Sequence, residues 1–336
     1  MNKKIIFIVV IILAVLGSGI YFLLGPKTTP SNQSQKPLQL KKVIDEAVIS
    51  PIGALDNNAL WYFNVDGRLF KANPDGSNIS EFPLPSLPKG MLKTVLWPKN
   101  GSDFIAIASE GPVLNKYFYE SSSKLFINFP QNVQWLEWLP DGKRVIYVWQ
   151  GSDKKSQQLV MANADGTGYK TIAPLLWPDL ALKASPDGKT ALMYRTNATG
   201  DTNQIYSVNL DTGVIMSMVD TGKNTGVVWL PTGNKFLYSQ TSKVYLFDVL
   251  NRQSLDLGLN TSLEKIAVDQ AVKYLYAAVP KQDKSGDYLL RINLDSNKLE
   301  KYYEPNSEVR AKNLFLIGST IYFTDIKDNK LYNLDK

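Results

Sequence analysis

The side chains that could do chemistry in this chain are few in kind. It contains no His and no Cys, which removes imidazole bases and ligands, thiol nucleophiles, thiolate zinc sites and disulfides. Carboxylates, guanidinium groups and aromatic rings remain. Trp135, Trp149 and Trp177 fall at or beside the least repetitive segments, with Asp179 and Arg195 near them in sequence. If these converge, stacking rings flanked by charge suit a sugar or a peptide segment. The competing reading is that each Trp packs between neighbouring sheets. Asp283, Asp287, Asp325 and Asp328 are oxygen ligands by type, but they lack calcium-loop spacing, and solvated loop charges are expected there. No catalytic residue, metal or cofactor is implied.

The elements that would position these residues read as β. Hydrophobic content is 44% with 11% aromatics, and the many Tyr, Trp, Ile and Val residues favour strands. Of the formal net charge of +6, Lys3, Lys4 and Lys27 supply half, leaving +3 for the rest. A balance that small, without a block of Lys and Arg, argues against nucleic acid as a partner.

Residues 5–24 form an uncharged, mostly aliphatic run that as a helix spans about 30 Å, the thickness of a bilayer core. Lys3 and Lys4 precede it, so the positive-inside rule puts residues 1–4 in the cytoplasm and the rest outside. The expectation is an uncleaved single-pass signal anchor in the cytoplasmic membrane. A cleaved signal peptide competes, with Gly17 and Gly19 as small residues at a processing site, but its apolar region usually runs only about 7–15 residues. Residues 25–37 are polar and Pro-rich and read as a flexible linker with a reach on the order of 20 Å.

Past residue 40 one pattern recurs. Trp138-Leu139-Pro140-Asp141-Gly142-Lys143 precedes Val145-Ile146-Tyr147-Val148, Ala184-Ser185-Pro186-Asp187-Gly188-Lys189 precedes Ala191-Leu192-Met193-Tyr194, and Trp229-Leu230-Pro231-Thr232-Gly233-Asn234 precedes Phe236-Leu237-Tyr238. Looser copies put turns at 58, 101, 272 and 318, so that seven turns stand 39 to 46 residues apart. A second turn closes each copy, as at Asn73-Pro74-Asp75-Gly76 and Asn163-Ala164-Asp165-Gly166; Asp, Asn and Gly tolerate hairpin-turn backbones. Such a four-stranded unit cannot bury both faces alone, so neighbours must stack. The expected fold is all-β: a seven-bladed β-propeller of four-stranded antiparallel blades over residues 38–336, preceded by one transmembrane helix. A string of sandwich domains would need about 100 residues per unit. The last copy has room for three strands, so residues 38–43 are expected to supply the fourth and close the ring.

The blocks 138–142, 184–189 and 163–166 resemble the repeat of TolB-like (WD40-like) propellers, in which a Trp/Phe-Ser-Pro-Asp-Gly-Lys turn precedes the second strand and an Asn-x-Asp-Gly turn follows the third. The copies at Asn58 and Val272 depart from it. The matched residues build turns and blade contacts. Relatives of this kind act as envelope scaffolds, as propeller domains of serine peptidases, or as sugar-processing proteins; without His there is no triad, and the peptidase reading fails.

In propellers a ligand usually sits over the axial channel. The relevant segments here are 110–116, 150–157, 196–203 and 280–287, between second and third strands, and 83–90, 130–134, 174–180 and 305–310, between blades. The leading expectation is a non-enzymatic scaffold outside the membrane that binds an envelope or membrane protein or a cell-wall polymer. The alternative is a carbohydrate- or peptidoglycan-processing enzyme using a pair of loop-face carboxylates.

Overall fold

The computed structural model describes residues 38–53, 58–99, 102–153, 155–196, 203–223 and 225–335. The expected anchor and linker lie outside the described residues. Among the described residues no helix is long and apolar enough to cross a membrane.

Strand β1 (Gln39–Ile44) is followed by six blades in sequence order. Blade 1 is β2 (Val48–Gly53), β3 (Leu60–Asn64), β4 (Leu69–Ala72) and β5 (Ser80–Phe82); blade 2 is β6 (Met91–Leu96), β7 (Phe104–Glu110), β8 (Val113–Glu120) and β9 (Leu125–Asn128). Blade 3 is β10 (Val133–Trp138), β11 (Arg144–Gln150), β12 (Gln157–Asn163) and β13 (Lys170–Leu175); blade 4 is β14 (Leu180–Ala184), β15 (Thr190–Arg195), β16 (Asn203–Asn209) and β17 (Ile215–Thr221). Blade 5 is β18 (Gly226–Trp229), β19 (Lys235–Gln240), β20 (Lys243–Asp248) and β21 (Gln253–Asn260); blade 6 is β22 (Ile266–Val268), β23 (Tyr274–Pro280), β24 (Asp287–Asn293) and β25 (Lys298–Tyr303). Blade 7 takes β26 (Ala311–Ile317), β27 (Thr320–Asp325) and β28 (Leu331–Asp335), and β1 completes it at the outer edge.

The repeated turns explain the hairpins. In blade 3 the Leu139 N–H donates to Arg144 O (2.8 Å) and the Gly142 N–H to Leu139 O (3.0 Å), while Asp141 Oδ1 accepts from the backbone of Lys143 and Arg144. Blades 4 and 5 repeat the bonds with Ser185 and Gly188, and with Leu230 and Gly233. Gly142 has φ of 65°, which favours glycine. In blade 6 Val272 takes this place, with its N–H on Asp269 O at 3.0 Å and φ of 55°, a strained backbone for a β-branched residue.

The core is divided among the blade interfaces. Seven apolar clusters each join two adjacent blades, and the second strands are buried on both faces: Val145 packs toward blade 2 and Ile146 toward blade 4. Full burial of each such side chain contributes roughly 1.5–3 kcal/mol. Indole clamps cross the same interfaces. Trp97 Nε1 donates to Ser50 O (2.8 Å), Trp138 Nε1 to Leu96 O (2.9 Å) and Trp229 Nε1 to Lys183 O (3.1 Å), each reaching back to the innermost strand of the preceding blade.

The ring closes as the unpaired segment predicts. Strand β1 runs antiparallel to β28, from Gln39 opposite Asp335 to Ile44 opposite Leu331. Val43 and Ile44 are buried against Leu60 and Tyr62 of blade 1. Tyr322 of blade 7 donates its hydroxyl to Pro74 O at 2.9 Å, so blades 7 and 1 are bonded at the turn end as well.

Candidate binding surface

One face of the ring, the turn face, carries the turns between first and second and between third and fourth strands. The opposite face, the loop face, carries the connections between second and third strands and the links between blades. The loops there are shorter than the sequence suggests. β8 begins at Val113, so the blade 2 connection is only Gly111-Pro112, and Lys116 is a buried strand residue whose ammonium is pushed below its usual range by desolvation. Val133 and Gln134 likewise belong to β10, and Pro174 to β13. Residues 197–202 lie outside the described residues.

The five residues singled out from the sequence do not form one site. Trp135 lies in the innermost strand of blade 3; its Nε1 donates to Leu182 O of blade 4 at 3.1 Å, and its ring packs on the clusters to either side of blade 4. Blade 4 carries Ala184 where its neighbours carry the clamp Trp, and Trp135 bridges that interface in the forward direction. Lys183 and Glu137 join the same two blades, with Nζ 3.1 and 3.0 Å from the two carboxylate oxygens. Burial pushes the Glu137 carboxyl above the usual range, against the pull of Lys183. Tyr194 is pushed up to about 12, chiefly by burial and then by the Glu137 charge.

Trp149 and Arg195 occupy equivalent places, each opposite the first residue of the innermost strand of its blade: Trp149 opposite Val133, Arg195 opposite Leu180. Each lines a groove on the flank of its blade. The blade 3 groove holds about 440 Å³ between Phe129, Pro130, Tyr147, Trp149, Gln158 and Tyr169. The blade 4 groove holds about 410 Å³ and is lined by Trp177, Arg195, Asn203, Gln204, Tyr206 and Asp220. There Trp177 stacks on Tyr206, with ring centroids 4.4 Å apart and planes 24° apart, and Gln204 Nε2 donates to Asp220 at 2.6 Å. Arg195 Nε is buried without an acceptor among the described residues. Burial, and then the Asp220 charge, pushes the Tyr206 hydroxyl up. Asp179 stays outside the groove lining; it is exposed, with φ of 55°, and its carbonyl accepts from the Thr196 N–H at 2.8 Å.

Trp177 and Arg195 are therefore brought together, Trp149 lies one blade away in the equivalent groove, and Trp135 is a blade contact. Tyr206 and Gln204 were missed. Alternation along β16 places Gln204, Tyr206 and Val208 on one face, but only the packing of the 176–179 link shows that Tyr206 meets Trp177. A further cavity of about 650 Å³ lies among β2, β6 and β26, next to the axis, where Ser50 Oγ and Thr94 Oγ1 stand 3.1 Å apart.

The expectation that the loop aspartates are solvated charges holds for Asp283, which is exposed and caps the Ser285 N–H. It fails for Asp287 and Asp325, which are 2% and 6% exposed. Asp287 accepts from Lys265 Nζ and from the Ala311 N–H, both at 2.8 Å, tying the 5–6 link to blades 6 and 7. Asp325 accepts from the Lys327 N–H. Asp328 accepts from the Lys330 N–H and from the Tyr332 hydroxyl, and that phenol is pushed up to about 12 by burial and by Asp328. Among the described residues no group of three or more acidic side chains is placed to hold a metal ion.

No family profile and no curated protein matches the sequence. Solved structures do. The chain is similar to TolB from Acinetobacter baumannii at 15% identity and a TM-score of 0.50, over 81% of this chain and 67% of that one. It is similar to the β-propeller domain of Cps50 (Swd1) from Myceliophteria thermophila at 10% identity and a TM-score of 0.61, over 89% and 100%. Oligogalacturonate lyase from Vibrio parahaemolyticus gives 10% identity and a TM-score of 0.64, over 89% and 97%. At these identities the likeness is one of fold: the chain is a seven-bladed β-propeller.

Proposed function

We propose that the chain is a binding scaffold, held on the outer face of a cytoplasmic membrane by residues 5–24, whose loop face takes a segment of an envelope protein or cell-wall polymer. The observation that carries this reading is the pair of aromatic-lined grooves at equivalent positions of blades 3 and 4. Two such grooves on successive blades suit an extended ligand with repeating units, and Trp177 with Tyr206 offers a flat platform for one of them. The loop face around blades 1, 2 and 7 adds exposed apolar side chains at Val65, Met91, Val113, Leu114 and Ile326.

The alternative, an enzyme with a loop-face carboxylate pair, finds less support. Asp287, Asp325 and Asp328 are occupied by backbone, lysine and tyrosine donors, which suits structural roles.

Affinity capture from solubilised membranes with the full chain tests the scaffold reading. Trp149→Ala and Trp177→Ala should each weaken capture by about tenfold or more, as loss of a buried aromatic anchor does, while Trp135→Phe leaves it unchanged. Equal capture by all three variants would remove the grooves from the reading.

A further inference from the structure

The turn face carries an apolar feature that recurs from blade to blade. At the corner between third and fourth strands stand Ile79 in blade 1, Leu125 in blade 2, Tyr169 in blade 3, Val214 in blade 4, Leu250 in blade 5 and Leu299 in blade 6, each between 46 and 81% exposed. Ile79, Tyr169 and Val214 immediately precede the outer strand, Leu125 begins it, and Leu250 and Leu299 lie within three residues of its start. Single exposed hydrophobics are ordinary; one at the same corner of six successive blades makes a rim. Cations sit beside it, with Lys124 next to Leu125, Lys170 next to Tyr169 and Lys298 next to Leu299.

In blade 7 the equivalent corner is where the chain enters the ring. Because β1 runs from Gln39, opposite Asp335, to Ile44, opposite Leu331 at the loop end of β28, the described chain begins at the turn face. The loop face also exposes apolar side chains, such as Met91, Val113 and Leu176, but these recur at one position in fewer blades and lie on the side away from the entry point.

We propose that the turn face lies against the lipid bilayer, with the six corners dipping into the headgroup layer, so that the loop face looks away from the membrane. Apolar tips and a tyrosine are side chains that partition to such an interface. This inference rests on the reading of residues 5–24 as a membrane anchor.

The absence of Cys makes single-cysteine labelling clean. The full chain, reconstituted into vesicles of phosphatidylcholine and phosphatidylglycerol, is labelled with an environment-sensitive fluorophore at Ile79→Cys, Leu125→Cys or Leu250→Cys, and for comparison at Val113→Cys, Leu176→Cys or Ile326→Cys. Spin-labelled lipid should quench the three corner labels about twofold or more and leave the loop-face labels nearly unchanged, as contact with the headgroup layer requires. Protein that floats with the vesicles while its corner labels stay unquenched overturns the docking and leaves the anchor standing. Protein that fails to float removes both. Corner labels that are shielded equally in lipid-free detergent, in a cross-linkable dimer, would show that the rim meets a second copy and would overturn the proposal too.

Discussion

Lys330 Nζ donates to the Asp45 carboxylate at 2.6 Å across a sequence separation of 285 residues. Lys42 shares the same carboxylate at 2.6 Å. The three residues fasten the strand that closes the ring to the last connection of blade 7, and the bonds from Lys330 and then Lys42 hold Asp45 down at about 2.

A carboxylate whose folded value lies below its unfolded value adds stability above the unfolded value, and that stability is lost as pH falls through the folded one. For Asp45 the window runs from 3.8 down to about 2. Asp45→Asn should lower the urea midpoint modestly at pH 7, and the gap from wild type should close by pH 2. High salt should shrink the gap, because the side chain is exposed and screened. A gap independent of pH would show that the carboxylate charge plays no part in the latch.

The pair of Lys265 and Asp287 is buried, with side chains 13% and 3% exposed. Removing one partner strands the other, which typically costs about 3–5 kcal/mol. Asp287→Ala should therefore lower the unfolding free energy by about that amount, while Lys265→Met combined with Asp287→Leu should cost less than Asp287→Ala alone. Denaturant titration of the two variants beside the wild type separates the cases.

Trp138→Phe and Trp229→Phe keep a large ring but leave the Leu96 and Lys183 carbonyls without their indole donors. Each should cost about 1–3 kcal/mol, the penalty for an unsatisfied buried acceptor. Chemical unfolding measures it, and an unchanged midpoint would mean that water replaces the indole.

At Val272 the φ of 55° is unfavourable for a β-branched side chain. Relief of left-handed strain gives about 1–2 kcal/mol, offset by the entropy glycine gains in the unfolded chain, about 0.5–1 kcal/mol, and by lost packing against the blade 5–6 cluster. Val272→Gly should raise Tm slightly, whereas Gly→Ala at the matching turn position, Gly142→Ala, should lower it. A fall in Tm for Val272→Gly would show that packing outweighs strain.

Gly76 sits against the closing strand: a Cβ there would lie 2.1 Å from Val43 O, and φ is 84°. Gly76→Ala should displace β1 from blade 1 and expose residues 38–44 to protease before the rest of the ring unfolds. Cleavage at the wild-type rate would mean that the turn yields instead.

The turn glycines and the Trp four residues before them were legible because each solves a local problem, a left-handed backbone or a blade contact, and each recurs with the blade period. Val272 was legible only by its place in the count, since its residue type argues against the conformation it adopts. The closing strand was legible because the last copy ran short by one strand. The grooves were not. Trp177 meets Tyr206 because the link between blades 3 and 4 folds back onto β16, and no spacing records that. Asp287 looked like a loop charge until the blade 5–6 link brought Lys265 beside it.

By itself the sequence determined the period, the hairpins, the number of blades and the need for a borrowed strand, because these follow from turn chemistry and from apolar segments too solid to be left exposed. Only the closed ring decided which side chains share a groove, which aspartates are buried, and at which face the chain enters. Those are relations between blades, set by how each sheet lies on the next.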